Sequence, residues 1–218
     1  MSLAGACGTE KTAADKSSPT AAQQAAQVAL TDGLISGLEG APTSGSGGAS
    51  SNPYDYINKP AMKALVALGT PALIQLDKRL PAAGGGVDAY LMAVAMVRIS
   101  HVDFSTWYDQ GWDSAQAFDR VWVDHLTNIP DRVAEIAQSD AGATQKTTRL
   151  VALGTPAIPF ILDRVAQGDL TVASAAAKLM RGAVELETVG EPAEVTPEWA
   201  QANVGLFAQL RELVMAQQ

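Results

Sequence analysis

Cysteine is almost missing from this chain: Cys7 is the only one in 218 residues, so no internal disulfide can staple the fold. Aromatic residues are scarce at 6%, and much of the 47% hydrophobic content is alanine. Alanine with Leu, Val and Met favours closely approaching helices over sheets. Basic residues are outnumbered, 15 Lys and Arg against 23 Asp and Glu, for a formal net charge of −8. That balance argues against nonspecific DNA or RNA binding, which needs clustered positive charge. No run of about 18 apolar residues occurs, so no membrane-spanning helix is expected, and any membrane contact would come through an N-terminal lipid. His-Glu-x-x-His, paired Cys/His ligands, Gly-x-Ser-x-Gly and a strand-borne phosphate loop are missing too. No cofactor, metal or catalytic residue is therefore expected.

What the chain does contain is a repeat. Leu-Val-Ala-Leu-Gly-Thr-Pro-Ala stands at Leu65–Ala72 and again at Leu150–Ala157, an offset of 85. Each copy reads as a helix stop followed by a restart. Gly69 and Gly154 offer the left-handed backbone that closes one helix. Thr70 and Thr155 are expected to cap the next, with Pro71 and Pro156 in its first position. Around the first copy, helices are expected over about Pro60–Leu68, through Leu73, Ile74, Leu76 and Leu80, and, after Gly84-Gly85-Gly86, over Val87–Ile99. That third helix is apolar nearly all round and belongs in the middle of a layer. The second copy repeats the order: a helix near Gln145–Leu153, one carrying Ile158, Phe160, Ile161 and Val165, and an Ala-rich one over Leu170–Gly182. Arg79 matches Arg164, Met96 falls near Leu179, and Arg98 near Arg181.

The pattern predicts an all-α domain at 52–218 with about seven to nine helices. Its two clear repeats lie at 58–100 and 144–182, with a degenerate unit between them. In that middle unit Ser114–Leu126 and Pro130–Ala137 read as a helical pair. A closing amphipathic helix through Trp199, Leu206, Phe207, Leu210, Leu213 and Val214 would cover the open end. Residues 1–51 read as a tether. Gly8–Pro19 is small and polar, Gly40–Asn52 has linker composition, and Thr20–Leu38 between them is expected to form only a marginal helix striped by Val28, Leu30, Leu34 and Ile35.

The three-part unit with its Leu-Gly-Thr-Pro-Ala-Ile junction resembles HEAT-like helical repeats, including the short variety of phycobilisome lyases. The resemblance implies a right-handed stack of helical hairpins, and the offset is about twice the 40–47 residue period of that class. Cys7, following Leu3-Ala4-Gly5-Ala6, resembles the lipobox of bacterial lipoproteins, although Ala4 stands where leucine is commonest. That likeness implies cleavage before Cys7 and its lipidation. The Asn-Pro-Tyr-Asp-Tyr-Ile opening, the junction and the Trp107/Trp112 segment also resemble uncharacterised bacterial extracytoplasmic lipoproteins of similar layout.

The segment richest in chemistry is His101–Asp113, holding Asp103, Trp107, Tyr108, Asp109 and Trp112 between helices, where sites often lie. Trp107, Tyr108, Trp112 and Asp109 are ligand-contact candidates, and the three rings would make a platform for sugars or peptide. His101 and His125 with nearby carboxylates define the hydrolase alternative. The plainer reading gives Asp103 and Asp113 to helix caps and the rings to packing. Arg79 and Arg164 recur with acidic neighbours, Asp77 and Asp163, and read as a repeat-specific ion pair or cap holding helix ends, with an anion site as the alternative. The expectation is an extracytoplasmic, lipid-anchored or secreted binding or scaffold module with a protein or peptide partner and no nucleic acid. A carbohydrate-binding domain and a hydrolase are the alternatives.

Overall fold

The computed structural model describes residues 21–39, 60–108 and 111–218; Cys7, the segment Asn52–Ile57 and Asp109 lie outside them. Among the described residues every regular element is helical. Helix α1 (Ala21–Glu39) precedes the first copy, which comprises α2 (Pro60–Ala67), α3 (Thr70–Arg79) and α4 (Val87–Ser100). A long α5 (Ala115–Gln138) leads to the second copy, α6 (Ala143–Val151), α7 (Ile158–Ala166) and α8 (Ala173–Met180). Helices α9 (Pro197–Asn203) and α10 (Ala208–Met215) close the chain, joined by a 3-10 turn at Val204–Phe207. Nine α-helices thus lie from Pro60 onward, among the described residues.

Both junctions turn on glycine, but not by the expected capping. Gly69 has φ 64° and ψ −138°, and Gly154 has φ 76° and ψ −175°. The φ is positive as anticipated, while ψ lies far from the left-handed helix, in a region open essentially to glycine alone. Thr70 and Thr155 make no side-chain cap bond. The glycine itself holds the cap position. Its carbonyl accepts the opening bonds, from Ala72 (3.0 Å) and Leu73 (3.1 Å) at Gly69, and from Ala157 (3.1 Å) at Gly154. Pro71 and Pro156 fall one position later than expected, where their missing N–H still costs nothing.

Helix α4 buries Ala89, Leu91, Met92, Ala93, Ala95, Met96 and Ile99, as an apolar mid-layer helix should. Pro130, expected to separate two helices, lies inside a continuous α5. Proline within a helix costs about 3 kcal/mol through its missing donor and its clash with the carbonyl four residues back. Here a single face outweighs it. Phe118, Trp122, Leu126, Ile129, Val133 and Ile136 are all buried along one stripe running past the proline, each contributing about 1.5–3 kcal/mol. Thr127 and Asn128 donate their side chains to the carbonyls of Val123 and Asp124, at 2.8 and 2.7 Å, in the turn before Pro130. Pro130→Ala is therefore expected to stabilise the protein by about 1 kcal/mol, raising its urea midpoint; a lower midpoint would show the proline to be required.

Helix α1 docks rather than standing apart. It packs on α2, α3 and α4; Ile35 and Thr31 are fully buried, and Asp32 pairs with Arg79 at 2.6 Å. Its apolar stripe is narrower than expected, since Val28 and Leu30 face solvent. The local ion pairs also dissolve into longer-range ones. Asp163 binds Arg211 of α10 at 2.8 Å, and Asp77 accepts from Trp122 Nε1 of α5 at 2.7 Å. Burial pushes the Asp77 carboxyl above its usual range, partly offset by that indole bond.

The two copies meet reciprocally. A methyl group on Gly69 would lie 3.3 Å from Val184 Cγ2, just past α8. One on Gly154 would run into the Ser100 carbonyl and lie 2.7 Å from Val102 Cγ2, just past α4. Each junction thus packs on the segment leaving the third helix of the other copy. The contacts therefore run both ways, each junction glycine touching the other copy. Helix α10 lies against both α3 and α7, the second helices of the two copies.

Candidate functional site

Residues of both copies border one pocket of about 160 Å³. Gly69 and Thr70 line it from the first junction, and Thr155 and Ile158 from the second. The ends of the third helices contribute as well, Arg98 and His101 from α4 and Arg181 from α8. The chain exits each end differently. His101 sits in the left-handed region (φ 55°, ψ 25°), the one non-glycine residue with positive φ among those described, and its N–H bonds Val97 O at 2.9 Å. Such backbone costs on the order of 1 kcal/mol or more in a side-chain-bearing residue. At α8 the turn is taken by Gly182 at φ 71°. Arg98, His101 and Arg181 are all exposed. Glu185, in a 3-10 turn at Val184–Leu186, lines the same pocket, and its Oε1 is buried without a hydrogen-bond partner.

The pocket is therefore lined by two arginines and a histidine together with Glu185, on a chain whose net charge is −8. A basic concavity on an acidic molecule concentrates anions locally while the remaining surface repels them. Apolar side chains, Val66, Ile99, Leu179 and Leu210 among them, complete the wall.

The aromatic segment does not form an open platform. Trp112 is half-buried, tilted against Tyr90 (centroids 4.8 Å) and edge-on to Phe118 (5.0 Å). The Arg132 guanidinium covers Trp107 at 4.9 Å and reaches Tyr108 at 5.4 Å. Trp107 Nε1 is buried without a partner. Tyr108 donates to Asp124 Oδ2 at 2.8 Å, and burial, with that bond, pushes its hydroxyl up to about 12. Asp103 caps a 3-10 turn at Phe104–Thr106 by accepting from Ser105 N at 3.1 Å. Asp113 does not cap α5; Ser114 does, accepting from Ala117 N at 3.2 Å. Asp109 lies outside the described residues.

His125 is fully buried, and both ring nitrogens are committed. Leu153 O can only accept, so Nε2 (3.0 Å) carries the proton; Arg132 Nη1 can only donate, so Nδ1 (3.3 Å) accepts. Leu153 is the last residue before Gly154, and its carbonyl is one of those a helix end leaves unpaired. Its neighbour, the Ala152 carbonyl, takes the Asp103 N–H at 3.0 Å. His125 and Asp103 thus satisfy the end of α6 and hold the second junction. Burial lowers the His125 pKa to about 4, so the ring is neutral at pH 7. His101, exposed on the pocket, has different neighbours, and the two histidines do not share a site. Among the described residues no three His, Cys, Asp or Glu side chains gather as metal ligands, and no helix is long and apolar enough to cross a membrane.

Arg98, Arg181, Val184 and Glu185 were not singled out as site residues from sequence. The repeat match of the two arginines was the signal that pointed to the first two. Comparison with protein-family models, curated proteins and solved structures finds no match to this chain.

Proposed function

We propose that this protein is a binding module that engages a protein or peptide partner at the junction pocket, from a position outside the cytoplasm and a lipid anchor at Cys7. The observation that carries the reading is the convergence of both repeated corners on one basic concavity containing Arg98, His101 and Arg181. Ligand sites are typically concave, largely apolar and furnished with a few polar groups that fix orientation, and this pocket has that composition. The extracytoplasmic placement is supported by the small residues before Cys7 and the polar Gly8–Pro19 and Gly40–Asn52 stretches. A HEAT-like ancestry is supported by the repeated helix–Gly-Thr-Pro–helix unit. A sugar platform has less support because Arg132, Tyr90 and Phe118 occupy the ring faces. A hydrolase has less because the His125 nitrogens are already bonded.

The test is selection from a random-peptide library displayed in both orientations, one with free C-termini and one with fused C-termini. Enrichment of sequences with an acidic group is expected in at least one orientation, and its loss with the Arg98→Gln/Arg181→Gln double variant. Absence of any enriched sequence, or enrichment untouched by that variant, overturns the reading.

A further inference from the structure

We propose that the face of the first copy lying under α1 is a docking site for a helix of another protein, and that α1 is its exchangeable occupant. The proposal does not rest on the junction pocket. Helices α1 and α5 hold corresponding places. Each precedes a copy and packs on its first and second helices, α1 on α2 and α3, α5 on α6 and α7. They are held very differently. Helix α5 buries nine side chains, packs on α4 and α10 as well, and joins α6 through four residues, 139–142. Among its described side chains, α1 fully buries only Ile35 and Thr31. Its ion pair, Asp32 with Arg79, is partly exposed and therefore weak. Gly33 and Gly37 lower its helix propensity. Opening α1 alone thus costs less than unfolding the domain.

The connection that follows is far longer than this docking requires. A methyl group on Gly37 would lie 3.6 Å from Ala61 Cβ, so the end of α1 already touches the start of α2. Yet 20 residues, 40–59, separate the two helices in sequence, and a chain of that length reaches up to about 66 Å. Helix α1 can therefore leave without straining any element from α2 onward. The face it leaves cannot stay bare. Met62 and Leu65 of α2, and Leu73 and Leu76 of α3, have no exposed surface, and uncovered apolar surface of this kind calls for a partner. An amphipathic helix laid into a groove is a recurrent recognition mode. The pattern of α1 specifies the helix that fits. It carries a β-branched apolar residue at the place of Ile35, an acidic residue three positions earlier for Arg79, and a small residue where Gly37 approaches Ala61. The first eleven residues of α1, 21–31, carry no charge, which suits an occupant lying against an acidic chain.

The probe is a fluorescein-labelled peptide of residues 21–39, titrated into the full chain. The wild-type chain holds its own α1 at an effective concentration of roughly a millimolar and so resists the peptide. Ile35→Ala loosens α1. It is expected to raise peptide affinity at least tenfold while the urea midpoint, read by tryptophan fluorescence, stays unchanged. Adding Arg79→Asp to that chain should weaken the peptide about threefold, and an Asp32→Arg peptide should recover the loss. In the wild-type chain, α1 amides should exchange hydrogen at least a hundredfold faster than those of α5. Exchange at the α5 rate, a midpoint lowered by Ile35→Ala, or no gain in peptide affinity overturns the inference. Concentration-dependent dimers of the wild-type chain that Arg79→Asp abolishes would assign the face to a second copy and overturn the separate partner.

Discussion

Gly154→Ala is expected to destabilise the protein by about 4 kcal/mol, and Gly69→Ala by about half as much. Both substitutions place a Cβ on backbone with φ between 60° and 80° and ψ beyond −135°, where a side chain adds strain of about 1–3 kcal/mol. The surroundings then separate them. The new methyl at 154 meets the Ser100 carbonyl and the Val102 backbone N at 3.0 Å, groups that cannot move without displacing the end of α4. At 69 it meets only the Val184 side chain, which can rotate away. Overpacking against fixed atoms adds roughly 1–3 kcal/mol. Urea unfolding of the two variants measures the difference. Equal losses would mean that the two junctions sit in equivalent surroundings and that the described contact at Gly154 is wrong.

The second large effect is a pH dependence centred on His125. Its pKa is about 6.5 in an unfolded chain and, because of burial, about 4 in the folded protein. Between those values the unfolded state takes up a proton that the native state refuses, so the unfolded state gains as pH falls. The His125 contribution is therefore complete above about pH 6.5 and is lost progressively down to about pH 4, on the order of 3 kcal/mol in all. Asp77 acts in the opposite sense. Its raised carboxyl pKa means the native state protonates first and gains some stability at the acid end of the range. His125→Phe keeps an aromatic ring against Phe104 and Trp122 but leaves Leu153 O and Arg132 without their partner, costing about 2–3 kcal/mol at pH 7. The variant and the wild type should converge near pH 4.5. A wild-type urea midpoint that stays flat from pH 7 to 4.5 would rule out a neutral buried imidazole.

Helix identity was legible where the apolar pattern was strong: α4 follows from an apolar run bounded by glycines and His101, and the face of α5 from the spacing of Phe118, Trp122 and Leu126. What spacing could not carry was the competition between local rules and tertiary packing. Pro130 obeys a local rule that a buried stripe overrides. Thr70 has the chemistry of a cap but is buried inside the first turn, while the glycine takes its place. The weak pattern of α1 concealed that Ile35 and Asp32 have partners on α2–α4 and at Arg79.

The site was legible in a different measure. The aromatic residues of Trp107–Trp112 drew attention through their chemistry, yet that same apolar chemistry draws Trp107 and Trp112 into packing. The matched arginines Arg98 and Arg181 were visible as repeat correspondences, but only the packing of one copy on the other gives them one pocket. Glu185 had no signal in the sequence, since its burial depends on the 3-10 turn after α8.

That reciprocal pairing is the claim on which both the pocket and its proposed ligand depend. A nuclear Overhauser spectrum of methyl-labelled protein tests it most directly. Cross-peaks from Gly69 Hα to the Val184 methyls and from Gly154 Hα to a Val102 methyl should appear together in one sample. A spectrum showing either contact without the other, or Gly69 Hα beside the methyls of a different segment, would contradict the pairing.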